Sequence, residues 1–453
     1  MGQRLLRFCD RFGSYFRRRT RSVEPTARHY LKGLFQGPKT KKNMERMEEV
    51  IPEADHQQLQ HMLSNSAWDE RAVLAPVAQE ADQQLGGHAD SCLVIDESGC
   101  PKKGRDSVGV ARQWCGQLGK VENCQVGVFA ALGRGHQATL IDTRLYLPQA
   151  WIDEPERCRA AGVPEERIVF KRKHDLAVEL IDQARAHGLR FQWVGFDGLY
   201  GSDPALLRAL AGRGEVFVGD VHKDQRIYLD DPQPRRPAGD SRRERKSTRW
   251  HAQSLPVRVD RWARQQPPEA WQRVTLRDST KGQLQVEVLH RRVWLWDGEE
   301  AAAQHWHLIV RREIDQPQKP KYSLSNAPAD TPVSRLAFMQ GQRYWIERAL
   351  QDAKQDVGLG DYQVRGWRGW HHHMALVMMA MLFMLEERQL QHATHPLLSG
   401  TDIRALLNQF LPRRDTSLEE VLQQMETRHQ KRQAAIDSAY RQQRLKNAQE
   451  PDP

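Results

Sequence analysis

A short segment near residue 350 carries one acidic side chain between two basic ones, spaced so that all three share a helical face. The segment from Arg343 to Lys354 contains good helix formers and neither Gly nor Pro. At 3.6 residues per turn, Glu347 follows Arg343 by one turn and precedes Lys354 by two. A carboxylate between cations suits metal-dependent phosphoryl transfer, in which the acid binds the ion and the bases hold a phosphate strand. The alternative is an exposed helix of surface ion pairs.

Two further carboxylates follow apolar runs that are typical of buried strands. The runs Cys92-Leu-Val-Ile-Asp96 and Phe191-Gln-Trp-Val-Gly-Phe-Asp197 each stop at an acid, and glycine turns come after them. A single Asp at a strand end is often a turn former or a helix cap. With Glu347, however, these two acids make three carboxylates that could converge at one sheet edge. Clustered carboxylates raise one another's pKa unless a cation neutralises them, which favours Mg²⁺ or Mn²⁺.

The elements that must position these residues can be read from the periodicity of the chain. Residues 1–90 are predicted to be helical, with an amphipathic segment from Asp55 to Asp82. A meander followed by alternating helix and strand predicts a mixed sheet, in which Asp96 lies on the first strand and Asp197 follows the fourth. The predicted strands lie at about 92–96, 107–114, 123–132, 137–146, 191–197 and 215–221, and the helices between them at about 175–187 and 203–212.

On these residues the chain resembles the DDE transposases of bacterial insertion sequences, which have an RNase H-like catalytic core. One group of that superfamily carries the signature Tyr-x2-Arg-x3-Glu-x6-Lys on its acidic helix. Arg343, Glu347 and Lys354 match its last three positions, and Gln340 occupies the Tyr position. The resemblance extends from about residue 93 to 385 and includes the segments Val94-Ile-Asp-Glu-Ser-Gly99, Asn123-Cys-Gln-Val-Gly127 and Gly358-Leu-Gly-Asp-Tyr-Gln-Val-Arg365.

The resemblance implies an α/β fold, an RNase H-like mixed sheet with flanking helices. A β-rich insertion domain interrupts this sheet, and helical regions precede and follow it. The expected domains are a basic arm and helical DNA-binding region at 1–90, a catalytic core at 91–221 and 336–395, the insertion at 222–335, and a helical C-terminal region at 396–453.

The resemblance also implies a transposase that cleaves DNA and joins it to a target. Asp96, Asp197 and Glu347 would be the catalytic and metal-binding residues, holding two Mg²⁺ roughly 3.5–4 Å apart, with Mn²⁺ as a substitute. One ion would activate water or a DNA 3′-hydroxyl, and the other would stabilise the leaving oxygen. The implied partners are double-stranded DNA, as terminal inverted repeats and target, and a second copy of the chain. The side chains expected to contact DNA are Arg343, Lys354, Lys102, Lys103, Arg365 and Arg368.

Two other classes of protein are alternatives at this point. One is a DNA-binding protein of the same fold with an inactive site, which the presence of all three carboxylates disfavours. The other is a metal-dependent nuclease without strand transfer, which would use the same three acids. Inverted repeats beside the gene, with a short target duplication, would indicate transposition.

Composition agrees with DNA as a partner. The net charge is +10, and residues 1–46 carry 13 Lys or Arg against three acids, so this segment accounts for the whole excess. It suits phosphate contacts, although a solvated or disordered tail is the alternative. The longest apolar run, of about 12 residues, is shorter than the roughly 20 that span a bilayer. We therefore expect no membrane contact. The six cysteines show no zinc spacing and suit a reducing compartment, so we expect a cytoplasmic protein that is nucleoid-associated when bound to DNA.

The predicted insertion holds a basic run and three tryptophans whose roles differ. The insertion is inferred because Asp197 and Glu347 are 150 residues apart. Its basic run, 241–249, either contacts DNA or forms a solvated loop. The tryptophans are expected to pack between strands, with base stacking as the minority alternative; they are Trp294, Trp296 and Trp306.

The segments after Lys354 also have more than one interpretation. The triple histidine 371–373 has no partner with zinc spacing, so these residues are expected to pack, to hydrogen-bond or to touch phosphate. Arg365 and Arg368 alternate with tryptophans in a segment that either faces DNA or packs. In the C-terminal region, Thr416 and Glu419 are predicted to form a capping box that starts a solvated helix.

Overall fold

The computed structural model describes residues 1–17, 22–39, 41–236, 250–279 and 282–447. In this part of the chain, helices pack on one large mixed sheet, and the hydrophobic core runs from the first helix to the C-terminal region. The basic run 241–249 lies outside the described residues, so its role stays a prediction.

The N-terminal region is a set of packed helices. Residues Leu5, Phe8 and Phe12 on the first helix are buried, and Arg4 pairs with the buried carboxylate of Glu387 far along the chain. The disordered-tail alternative for residues 1–46 is therefore wrong where they are described. Asp69 accepts hydrogen bonds from two backbone N–H groups at the start of the fifth helix. The helices are α1 (Gly2–Phe12), α2 (Glu24–Gln36), α3 (Met44–Val50), α4 (His56–Ser64) and α5 (Glu70–Leu85).

The central strands have the order and directions of an RNase H-like sheet. Strand β3 pairs antiparallel with β1 and β4, whereas β1, β5 and β6 run parallel to one another. This arrangement confirms the predicted fold class. The strands are β1 (Ser91–Pro101), β2 (Ala111–Cys115), β3 (Lys120–Arg134), β4 (Gln137–Leu145), β5 (Trp193–Phe196) and β6 (Phe217–Val221). The helices among them are α6 (Gln149–Ile152), α7 (Pro155–Ala160), α8 (Lys173–Ala186), α9 (Gly198–Gly201) and α10 (Pro204–Gly212).

Two details of the strand prediction were wrong. Strand β1 does not stop at Asp96, because its antiparallel pairing with β3 continues to Pro101. The predicted strand at 107–114 forms only from Ala111, as the short β2 beside the start of β3. Asp197 follows the fifth strand in chain order, β5, and not the fourth.

The β-rich insertion extends the central sheet. Strand β12 pairs antiparallel with β6, and β11, β10 and β9 follow outward. Strand β10 is the longest of these, with 14 residues. Trp306 packs edge-on against Phe217, and Trp294 stacks on His305, so both take part in packing. The elements are β7 (Arg226–Ile227), β8 (Val257–Arg258), α11 (Val259–Arg264), β9 (Gln272–Ser279), β10 (Gly282–Leu295), β11 (Gln304–Glu313) and β12 (Lys321–Ser325).

The C-terminal part begins with the acidic helix and a long buried helix behind it. The C-terminal helix is capped by Ser417 and Glu420, one residue later than the predicted box. In the described ranges, no helix has the length and apolar character that a membrane crossing requires. All six cysteines are buried free thiols. The helices are α12 (Val333–Gln342), α13 (Tyr344–Val357), α14 (Trp367–Gln391), α15 (Gly400–Phe410) and α16 (Leu418–Asn447).

The three histidines at the start of α14 are buried and hydrogen-bonded. Nδ1 of His373 lies 2.8 Å from the hydroxyl of Tyr30, and Nδ1 of His371 lies 2.9 Å from the Trp367 carbonyl oxygen. Both ring nitrogens of His372 face backbone carbonyl oxygens. Burial thus favours packing and hydrogen bonding over a phosphate contact for this segment.

Candidate active site

Strand register brings Asp96 and Asp197 to one edge of the sheet. The parallel pairing of β1 with β5 ends at Ile95 opposite Phe196, so Asp96 and Asp197 are the next residues on adjacent strands. The pairing of β5 with β6 ends at Phe196 opposite Gly219, and Asp220 is the next residue on that strand. Three neighbouring parallel strands therefore each present an aspartate just beyond their last common pair.

The carboxyl of Asp96, the first of these aspartates, has a strongly raised pKa. Burial and the charge of Asp197 raise the pKa of the Asp96 carboxyl to about 7, against an opposing effect of Arg343. Asp96 accepts a 2.7 Å hydrogen bond from the Glu97 N–H, and Asp197 accepts one of 3.0 Å from the Leu199 N–H. Two carboxylates thus lie on adjacent strands, and burial disfavours the charged form of Asp96.

The guanidinium of Arg343 links this edge to helix α13. Its Nε donates to Asp220 at 2.9 Å, and its Nη1 lies 2.7 Å from Glu347 and 4.0 Å from Asp96. Burial alone would lower the pKa of Arg343, but the surrounding carboxylates, Asp220 first, raise it above the ordinary value. Arg343 is expected from the sequence to bind DNA; here it neutralises the acids of the site.

Asp220 is a site residue outside the three carboxylates that the sequence pattern singled out. Its other carboxylate oxygen accepts a 2.6 Å hydrogen bond from the Ser323 hydroxyl, which in turn accepts one from Gln340. Gln340, at the Tyr position of the signature, thus anchors the acid that holds Arg343. The signal was present, since Val216-Phe-Val-Gly-Asp220 repeats the pattern of an apolar strand ending in an acid.

Helix α13 presents Glu347 and Lys354 beside the sheet edge. Ile346, Leu350 and Val357 are buried on its inner face, while the Glu347 side chain is 49% exposed. Lys354 forms no ion pair or hydrogen bond with any described residue. Its charge acts on the thiol of Cys100, four residues after Asp96 on β1, although burial keeps that thiol's pKa above the ordinary value. Lys354 is therefore a cation close to the site without a partner among the described residues.

The other residues expected to contact DNA differ in their exposure and in their contacts. Lys102 packs over the Tyr362 ring and donates to the Tyr362 carbonyl at 3.1 Å, and burial lowers its pKa to about 8. Lys103 is exposed. Arg365 is exposed and pairs with Asp106 at 2.9 Å. Arg368, farther along, donates to a backbone carbonyl oxygen in the loop after α4. Lys103, Arg365 and Arg368 are exposed, whereas Lys102 is packed against Tyr362.

The donors at this edge suit a hard divalent cation. Asp96 and Asp197 offer carboxylate oxygens, and a cation beside Asp96 would return its carboxyl to the charged form. As placed, no three His, Cys, Asp or Glu side chains of the described residues form a group able to hold a metal ion. The guanidinium of Arg343 lies between Asp96 and Glu347. Asp96 and Asp197 could therefore hold a cation, and Glu347 could join them once Arg343 moves aside.

Comparison with known proteins identifies the family of this chain. Residues 8–283, more than half of the chain, match the family model described as DDE superfamily endonuclease. The match contains Asp96 and Asp197 and ends before Glu347. A probable transposase for insertion sequence element IS701 from Microchaete diplosiphon is 23% identical over 325 residues, which cover 72% of this chain and 73% of that protein. The family that the sequence resembles is thereby confirmed: the chain belongs to the DDE superfamily of endonucleases.

Proposed function

We propose that this protein binds the ends of an insertion sequence, cleaves them in a reaction that depends on a divalent cation, and joins them to target DNA. The observation that carries the proposal is the register that puts Asp96 and Asp197 side by side, with Glu347 joined to them through Arg343. The relative's description as a probable transposase supports the same reaction.

The residues of this chain would have different roles in such a reaction. When bound, divalent cations activate a hydroxyl nucleophile and stabilise the leaving oxygen. Asp96 and Asp197 would bind the cations through oxygens already fixed by backbone N–H groups. Glu347 would complete the set from helix α13. Arg343, held by Asp220, would give up its contact with Glu347 and turn towards the scissile phosphate, with which an arginine forms charge-assisted hydrogen bonds.

The same geometry suggests how the strand is held. Lys354 lies along α13 beyond Glu347 and has no described partner, so it is available to a phosphate next to the scissile one. Lys103 and Arg365 would add contacts with the phosphate backbone, which fix register rather than read sequence. Because two ends must be brought together, we propose that the active form on DNA contains at least two copies of this chain.

The test uses DNA carrying the inverted repeats that flank the gene. With Mg²⁺ or Mn²⁺, the purified protein should nick these ends and join them to a second DNA molecule, and it should do neither with Ca²⁺ or without a cation. Cleavage without joining would support the nuclease alternative. Binding without cleavage under every cation would instead identify a DNA-binding protein whose site is inactive.

A further inference from the structure

A cavity of about 250 Å³ opens beside the site, between the outer strands β9, β11 and β12 and the start of helix α13. It shares residues with the candidate active site but extends away from Asp96 towards the insertion. The site and the insertion both contribute to its charged lining, which consists of Asp220, Arg277, Arg311, Glu313, Lys321, Arg343 and Glu347. Anything bound there lies next to the acidic helix.

Arg311 on β11 is the unusual member of this lining. Its residue surface is 8% exposed, yet its guanidinium forms no hydrogen bond with a described residue, and the nearest acid, Glu313, lies 4.0 Å away. Burial lowers the pKa of Arg311 below the ordinary value, as expected for a cation removed from water. A buried charge without hydrogen-bonded partners is costly unless a ligand compensates it.

Two more cations on the cavity wall also lack ion-pair partners in the described ranges. Arg277 on β9 lies over the rings of Tyr344 and Trp345, at 4.6 and 4.9 Å from their centroids. Lys321 on β12 is exposed and has no ion pair with a described residue. Arg343, by contrast, is already engaged by Asp220 and Glu347. In the outer part of the cavity, Arg277, Arg311 and Lys321 therefore outnumber the one lining acid, Glu313, and this net positive charge suits an oxyanion.

We propose that this cavity binds a backbone phosphate of the DNA strand on which the site acts, with Arg311 as the anchor and Arg277 and Lys321 beside it. The proposal rests on the proposed function, because the cavity adjoins Glu347 and Arg343 and so lies on the path of a strand that reaches them. Arginine matches a phosphate by donating two parallel hydrogen bonds. The insertion strands thus help to position the substrate.

The main test combines DNA affinity with stability in Arg311→Met. The slope of log affinity against log salt should become shallower by about 0.7–0.9, the effect of one lost phosphate contact. Cleavage should fall at least tenfold, while Tm stays equal or rises because an uncompensated buried charge is removed. The control is Arg291→Met, an exposed arginine on β10 outside the cavity lining, which should change none of these quantities.

An unchanged salt slope with normal cleavage in Arg311→Met would overturn the proposal. A lower Tm with a fully active folded fraction would also overturn it, since Arg311 would then be structural. If Arg311→Met fails to fold, Lys321→Gln at an exposed position replaces it, and its salt slope must become shallower for the proposal to stand.

An experiment without DNA separates this proposal from the proposed function. Pyrophosphate should raise the Tm of the wild-type protein and not that of Arg311→Met, even if the wild-type protein proves not to cleave DNA. Failure of both proteins to respond would show that the cavity binds no phosphate and overturn the proposal. A pyrophosphate response with an unchanged DNA salt slope would assign the cavity to free phosphates and overturn the DNA assignment.

Discussion

Asp220 on β6 accepts a 2.9 Å hydrogen bond from Nε of Arg343, the residue that begins the acidic helix. Strand β5 separates β6 from β1, so this contact spans the sheet edge that carries Asp96 and Asp197. It fixes the guanidinium where it meets both Asp96 and Glu347. The helix and the sheet of the site are thus coupled through one arginine.

Asp220→Asn tests this coupling. The amide oxygen can still accept from Ser323, but the charge that holds Arg343 is lost, so we expect cleavage to fall at least tenfold. The free energy of unfolding should decrease by about 1–3 kcal/mol, because a charged hydrogen bond is weakened. Kinetics and denaturant unfolding would be compared with Asp224→Asn, which removes an exposed charge nearby. Equal behaviour of the two variants would contradict the coupling role.

Lys354 is expected to act on DNA and not on stability. Because it has no ion pair with a described residue, Lys354→Ala should keep the wild-type Tm while end cleavage and strand transfer fall. Lys354→Arg should recover part of the activity, since a single phosphate needs charge more than fork geometry. Gln351→Ala, an exposed change on the same helix, is the control. A Tm several degrees lower with a fully active folded fraction would make Lys354 a structural residue.

The candidate site was predictable where local pattern determines structure. Asp96 and Asp197 each end an apolar run, and parallel register then makes them neighbours. The contact of Arg343 with Asp220 could not be predicted, because it joins residues 123 positions apart through tertiary packing. The continuation of the sheet from β6 into β12 escaped prediction for the same reason. Asp96 lies inside β1 because the antiparallel pairing with β3 continues beyond the point where the parallel pairing with β5 ends.

The N-terminal segment was predicted as a basic arm, and its packing changes how it should be tested. Arg4 donates two hydrogen bonds to Glu387, whose side chain is 2% exposed. Arg4→Ala leaves that carboxylate buried without its partner, so the free energy of unfolding should decrease by about 3 kcal/mol. Arg7→Ala removes an exposed charge from the same helix and should have little effect on denaturant unfolding. Equal stability of the two variants would show that α1 is not docked through this pair.

The buried histidines of α14 should make the fold sensitive to acid. Burial lowers the pKa of His371 to about 3, of His372 to about 4 and of His373 to about 3. The unfolded chain takes up protons at about pH 6.5 and the folded chain does not, so the free energy of unfolding falls as pH drops from about 6.5 to about 4.

His371→Leu isolates one of these groups, whose polar contact is with the Trp367 carbonyl. The Tm of the variant minus that of the wild-type protein should become more positive as pH falls from 7 to 4.5. A difference that does not change with pH would mean that His371 is not neutral in the folded protein.

The most direct test of the central claim compares two aspartates that cap neighbouring helices. Asp197 and Asp203 both accept backbone hydrogen bonds at helix starts, and Asn can keep these bonds while removing the charge. Asp197→Asn should fold and bind end DNA as the wild-type protein does, yet lose Mn²⁺ binding and fall at least a hundredfold in cleavage, whereas Asp203→Asn should keep both. Normal Mn²⁺ binding and cleavage in Asp197→Asn would contradict a cation-dependent site built on Asp96, Asp197 and Glu347.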